Sequence, residues 1–253
     1  IMPVWQGQGY NTGMRDATNL AWKLAYVVNG KGSDALLETY QSERPLHAKA
    51  MIDLSVTAGR IFSPRSALLA GLRDVTTWVL NYIPPVKRYF MEMRFKPMPF
   101  YENGLVVHEK TRRKNSPVGR MFIQPKVRTR QGEVKLLDDA LGKGFALLAW
   151  GADPNYWLNP KSRAVLEALG AKIVTLKPTV QIDRTVDMTD RTDVLGDEQM
   201  RFKEWFGQHP GSIVLLRPDR FVAGIAFPIE VNELIAAVAD KMGLVVNAGG
   251  KAR

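Results

Sequence analysis

The stretch PVWQGQGYNTGMRDATNLAWKLA, residues 3 to 25, sets Gly7, Gly9 and Gly13 at the start of a helical pattern. The first N–H groups of a helix have no partner inside it and carry partial positive charge. Glycines at that point let a flat or anionic ligand approach the backbone, because no Cβ stands in the way. Spacing alone leaves two readings open: a turn that holds a ligand, or a turn in which Asn11 or Thr12 caps a helix. The run is not a Walker motif, since no Gly-Lys-Ser/Thr follows, and it lacks the preceding strand of a dinucleotide fingerprint. Other chemistries are poorly supplied. The chain has no cysteine, hence no thiolate nucleophile, disulfide or thiolate metal site, and His47, His108 and His209 show no ligand spacing.

The turn needs elements to hold it. Met14, Ala17, Ala21, Leu24, Ala25 and Val28 recur at steps of three and four, which predicts one apolar stripe on a helix ended by Gly30. Ser33 can cap a second helix carrying Leu36, Leu37 and Tyr40, with Pro45 kinking or restarting it. Helical patterning continues from Leu46 to about Phe62 and from Ser66 to Tyr82, where Pro84 and Pro85 stop it. From Arg94 to Arg130 no pattern holds, and an extended connection is expected. Beyond Gly132 come short apolar runs at 145–150, 171–176, 212–219 and 221–227, with helical stretches at 160–169 and 229–242. Strand, helix, strand, then two strands and a closing helix describe a small α/β layer fold, with Arg217–Arg220 as a hairpin turn.

At 253 residues and 45% hydrophobic content the chain can bury one large or two ordinary cores. No apolar run is long enough to span a membrane and no signal-peptide order is visible, so a soluble, cytoplasmic protein with no membrane partner is expected. Eight of the 35 basic residues, against two acidic ones, fall in residues 101–130, among them Arg112, Arg113 and Lys114. That segment reads as a solvated basic linker, with steering of an anionic substrate or nicotinamide cofactor as the functional counterpart. Nothing resembles a zinc finger or an RNA-binding signature, and nucleic acid is not expected as a partner.

The order of residues from Pro3 to Leu24, P-x-x-x-G-Q-G-x-N-x-G-x-x-D-A-x-N-L-A-W-K-L, closely resembles the segment that follows the Gly-Asp motif in FAD-dependent aromatic hydroxylases of the para-hydroxybenzoate and phenol hydroxylase type. LLETYQSERPLHA (36–48) is similar to that family's next helix. LLDDALGKGFALLAWGADP (136–154) and IVLLRPDRFVAGIA (213–226) resemble the C-terminal thioredoxin-like domain of its phenol-hydroxylase-like members. The resemblance implies an α/β chain with three parts: residues 1–100, the helical C-terminal part of an FAD/substrate domain; 101–130, the basic linker; and 131–253, a thioredoxin-like domain. Here that domain lacks cysteines, and GADPNYW stands where Cys-x-x-Cys is usual. Packing or a dimer interface is therefore its expected role, with Trp150, Tyr156 and Trp157 as interface anchors or core.

The same resemblance implies a flavin monooxygenase that uses NADH or NADPH and oxygen to hydroxylate a small phenolic substrate ortho to its hydroxyl. Met2, Pro3, Val4, Gly7, Gln8, Gly9, Tyr10 and Asn11 would line the FAD, with the N–H groups of Tyr10 and Asn11 at the pyrimidine edge of the ring. Val4 departs from a family proline. It further implies that the chain is the C-terminal portion of a longer enzyme, that the N-terminal FAD-binding half is its missing partner, and that alone it is inactive. A homodimer is compatible with this reading, and the alternative function is a non-catalytic interaction or dimerisation module. No catalytic side chain and no metal site is assigned.

Overall fold

A computed structural model describes residues 7–110, 115–184 and 192–244. The order is α1 (Gln8–Val28), α2 (Ala35–Phe62), α3 (Ala67–Asn81), α4 (Pro84–Met91), β1 (Lys126–Arg128), β2 (Val134–Leu136), α5 (Leu137–Leu141), β3 (Ala146–Trp150), α6 (Pro160–Leu169), β4 (Lys172–Pro178), β5 (Asp193–Asp197), α7 (Arg201–Gln208), β6 (Ile213–Leu216), β7 (Val222–Ala226) and α8 (Val231–Lys241). Contacts group the chain into two compact units, one of Ile1–Thr18 with Glu43–Phe100, the other of Asn19–Ser42 with Tyr101–Arg253.

The first unit is helical. Four features of helices α1–α4 differ from the sequence reading or sharpen it. α2 runs on unbroken through Pro45. α3 ends at Asn81, before Pro84 and Pro85 as expected, but the two prolines open a further helix, α4, because a proline at the first helical position removes an N–H that had no partner anyway. α3 forms where expected, from Ser66 as N-cap position, yet none of its residues is buried. The apolar stripe expected on α1 also faces outward: Met14, Ala17, Ala21, Leu24, Ala25 and Val28 are exposed, whereas Thr12, Asn19, Trp22, Lys23 and Tyr26 are buried.

The second unit is built on a seven-stranded sheet in the order β2-β1-β5-β4-β3-β6-β7. β3, β4 and β5 run parallel, and the strands on either side are antiparallel. Alternation on β3 separates two cores. Leu147 and Ala149 join Phe145, α6, α8 and the Trp22–Tyr26 end of α1 on one face. Ala146 and Leu148 join α5 and α7 on the other, with Phe202, Phe206 and Leu137. The hairpin at Arg217–Arg220 forms as expected, Arg220 donating its N–H to Arg217 O at 2.9 Å with a left-handed φ of 61°.

The segment read as a solvated connection is instead largely packed. Tyr101, Leu105, Val106, Val118 and Phe122 are buried in the cores. The backbone pairs with the β7 edge: Val107 N–H donates to Ala223 O at 2.7 Å, Gly119 N–H to Val222 O at 2.9 Å, and Phe122 N–H to Arg220 O at 2.9 Å. Gly224 makes this approach possible, since a Cβ there would overlap Leu234 and stand 3.1 Å from Val107 O. An edge strand with unpaired amides is costly, and covering it with neighbouring chain removes that cost. Arg112, Arg113 and Lys114 lie outside the described residues.

Candidate ligand-binding helix start

α1 begins one residue after Gly7, whose φ of +60° is a conformation that L side chains rarely adopt. A Cβ built on Gly7 or Gly13 would meet nothing within 4 Å, so protein does not fill the space beside them. Gly7, Gly9, Tyr10 and Asn11 are exposed, and the first turn contains no acidic residue to neutralise the positive end of the helix. The turn thus offers N–H groups that the helix itself does not pair, positive potential, and open room beside Gly7 and Gly13. Those properties fit the electron-rich edge of a flat cofactor such as a flavin. Met2, Pro3 and Val4 lie outside the described residues, and of Gln8 only the backbone is described.

A cationic cluster holds the first turns of α1 against α2. Arg44, about 2% exposed, donates from Nε to Asp16 Oδ1 at 2.6 Å. Its Nη1 lies 3.4 Å from His47 Nδ1, while Arg15 Nη1 lies 3.3 Å from His47 Nε2. A guanidinium only donates, so the ring must accept. The tautomer that satisfies Arg44 accepts at Nδ1 and donates from Nε2 to Pro97 O at 3.4 Å. Burial lowers the His47 pKa, the Arg44 and Arg15 charges lower it further, and the Pro97 carbonyl and Asp16 oppose them. The imidazole is therefore neutral at neutral pH. Sequence reading took His47 only as a histidine without ligand spacing and did not join it to Arg15, Asp16 and Arg44; the available signal was Arg44 and His47 on one helix face, three positions apart.

In the second unit the stretch after β3 carries a polar network in place of thiols. Asp153 Oδ1 accepts from Asn155 N–H at 2.9 Å and from Thr192 Oγ1 at 2.7 Å. Asn155 Nδ2 donates to the same hydroxyl. All three residues are buried, and their contacts are those of a well-satisfied turn, not of a nucleophile with a base. Of the three aromatic candidates, Trp150 stacks on Phe206 and Trp157 packs on the core, while Tyr156 is exposed. Among the described residues no group of three His, Asp or Glu side chains is placed to hold a metal ion, and no helix is long and apolar enough to cross a membrane.

Residues 1–55 match the family model of an FAD binding domain, and residues 119–241 match that of the HcaD C-terminal domain. The 3-(3-hydroxy-phenyl)propionate/3-hydroxycinnamic acid hydroxylases of Klebsiella pneumoniae (strain 342) and of Escherichia coli (strain SMS-3-5 / SECEC) are each 53% identical to this chain over 244 residues. The match takes in 96% of this chain but 44% of each relative, so the chain spans less than half their length. Solved structures extend the likeness in fold. A complex of aklavinone-11 hydroxylase with FAD and aklavinone has a TM-score of 0.58 at 20% identity, covering 95% of this chain and 42% of that one. The flavin-dependent monooxygenase PieE, in complex with FAD and substrate, has a TM-score of 0.60 at 16% identity, covering 96% and 46%.

Proposed function

We propose that this chain, a relative of FAD-dependent aromatic hydroxylases over nearly its whole length, is the C-terminal part of such an enzyme and supplies one wall of its flavin site. The proposed reaction is the ortho-hydroxylation of a phenolic substrate such as 3-(3-hydroxyphenyl)propionate, with NADH or NADPH as reductant and oxygen as co-substrate. The observation that carries this reading is the 53% identity to 3-(3-hydroxy-phenyl)propionate hydroxylases, together with the match of residues 1–55, glycine-rich helix start included, to an FAD binding domain.

Bound FAD would supply the activation of oxygen for ring hydroxylation. The chain's own part is electrostatic and positional. The N–H groups of Tyr10 and Asn11, at the positive end of α1, would stabilise negative charge on the pyrimidine edge of the reduced ring. Gly7 and Gly9 would let the ring reach that backbone, and Met2, Pro3, Val4 and Gln8 would complete the wall. Arg44, through Asp16, keeps the first two turns of α1 seated, so the donors are fixed before the cofactor arrives.

We read residues 131–253 as a thioredoxin-like domain joined to residues 1–100 by the segment 101–130. The order β4-β3-β6-β7, with α6 between the parallel strands and α8 after the last, supports this. Without cysteine it performs no dithiol exchange, and its role is packing within a cytoplasmic enzyme. The test is to express the polypeptide from its whole gene and measure flavin content, NADH and NADPH oxidation, and transfer of isotopically labelled oxygen to 3-(3-hydroxyphenyl)propionate. Stoichiometric flavin and one labelled oxygen per turnover are expected. A flavin-free protein, or reductant oxidation with no labelled product for any phenol tried, overturns the reading.

A further inference from the structure

α3 exposes Leu68, Leu72, Val75 and Val79, with Tyr82 one residue beyond its end. Their spacing of four, three, four and three is the seam by which one helix packs on another element. Leu68 is 81% exposed and Trp78, on the flank of the seam, 63%. α4 adds Phe90 and Met91 to the exposed apolar surface. A soluble protein rarely leaves so continuous an apolar face to water.

The rim of this face has a sign. Between Arg60 and Lys96 the sequence holds seven basic and two acidic residues. Arg73 pairs with Asp74 and Arg94 with Glu92, so both carboxylates are taken within the face itself. Arg60, Arg65, Lys87 and Arg88 are exposed and Lys96 is half-exposed, and among the described residues none of the five is in an ion pair with a carboxylate. Two copies of the face meeting each other would press like charges together, which is repulsive. The relatives, meanwhile, carry more than half of their length outside the stretch this chain matches.

We propose that the α3–α4 face is the docking surface for the segment of the same polypeptide that the relatives carry beyond this match, and that this segment presents an apolar surface with an acidic rim. The inference rests on the reading of the chain as part of a longer hydroxylase. The outward stripe of α1, Met14, Ala17, Ala21, Leu24, Ala25 and Val28, points the same way, since it too is apolar and uncovered.

Hydroxyl-radical footprinting with sedimentation tests it. The 253-residue chain and the whole-gene polypeptide are labelled side by side, and oxidation of Trp78, Tyr82 and Met91 is read by mass spectrometry. In the longer polypeptide we expect at least tenfold slower labelling of these residues while it sediments as a monomer. Leu72→Glu with Val79→Glu should restore labelling there and leave it unchanged in the shorter chain. Equal labelling in both polypeptides overturns the proposal, as does protection that appears only with dimerisation. Flavin content measured on the same samples separates the two readings. Protection without flavin overturns the proposed function alone, and flavin without protection overturns the docking surface alone.

Discussion

Arg217 shows how one side chain can tie distant parts of a fold together. It is fully buried, and it meets Asp219 in a two-pronged pair, Nε to Oδ1 at 3.0 Å and Nη2 to Oδ2 at 2.6 Å. Its guanidinium also lies 5.3 Å from the Trp22 ring centre, 5.1 Å from Tyr101 and 5.8 Å from Phe221. Three aromatic faces and a carboxylate replace the water a guanidinium would otherwise keep. Removing the cation alone would strand a buried carboxylate. Arg217→Ala should therefore cost about 3–5 kcal/mol in urea unfolding. Arg217→Met with Asp219→Leu, which removes both charges and keeps the volume, should recover most of that loss. An equal loss in the single and double variants would show that the pair is not what holds the turn.

At the scale of elements, α7 depends on a residue one turn away from its own start. Asp197 ends β5 and accepts from the N–H groups of Arg201 at 3.1 Å, Phe202 at 2.9 Å and Lys203 at 3.1 Å. Met200, between them, takes a left-handed φ of 56° so that the chain can turn into the helix. Asp197→Ala should lower stability by about 1–2 kcal/mol, and Asp197→Asn by less, as read from thermal unfolding. No measurable change for Asp197→Ala would mean that water satisfies these amides equally well.

What the sequence disclosed about elements follows from the strength of each local signal. FALLAW, AKIVTL, SIVLL and FVAGIA are unbroken or nearly unbroken apolar runs, and each became a strand. β5 escaped because DVLGD has only two strand-forming residues between acidic ones, although it pairs on both edges. β1 and β2 are three residues each, too short for any periodicity. On α1, the residues that spacing sets on one stripe are not the ones that enter the sheet core. Trp22 and Tyr26 turn inward to pack edge-on against Phe145, at 5.6–5.7 Å between ring centres, while Met14, Leu24 and Val28 turn outward. The glycine-rich helix start was legible, whereas the Asp16–Arg44–His47 cluster required tertiary contacts that no short window contains.

For the molecule as a whole, His47 links stability to pH. Its pKa is lowered on folding, so the unfolded chain binds the proton more readily. The contribution of the neutral ring is complete above the unfolded value of about 6.5 and is lost progressively as pH falls towards the lower folded value. The melting temperature of the chain should drop as pH is taken from 7.5 to 5.5, and His47→Gln should flatten that slope. An unchanged slope in the variant would assign the effect elsewhere. The net charge of +10 adds to this, since protonating a histidine between Arg15 and Arg44 introduces a third positive charge at one point.

The grouping of Asn19–Ser42 with the sheet has a consequence for how such a gene can be rearranged. Trp22, Tyr26 and Leu36 belong to the core beneath the sheet, yet their codons precede those of most of the helical unit. A crossover near codon 100 would transplant the strands and leave three of their core side chains behind. The two units are thus interleaved in heredity, and exchange of one for a homologous copy has to carry the α1–α2 hairpin with it.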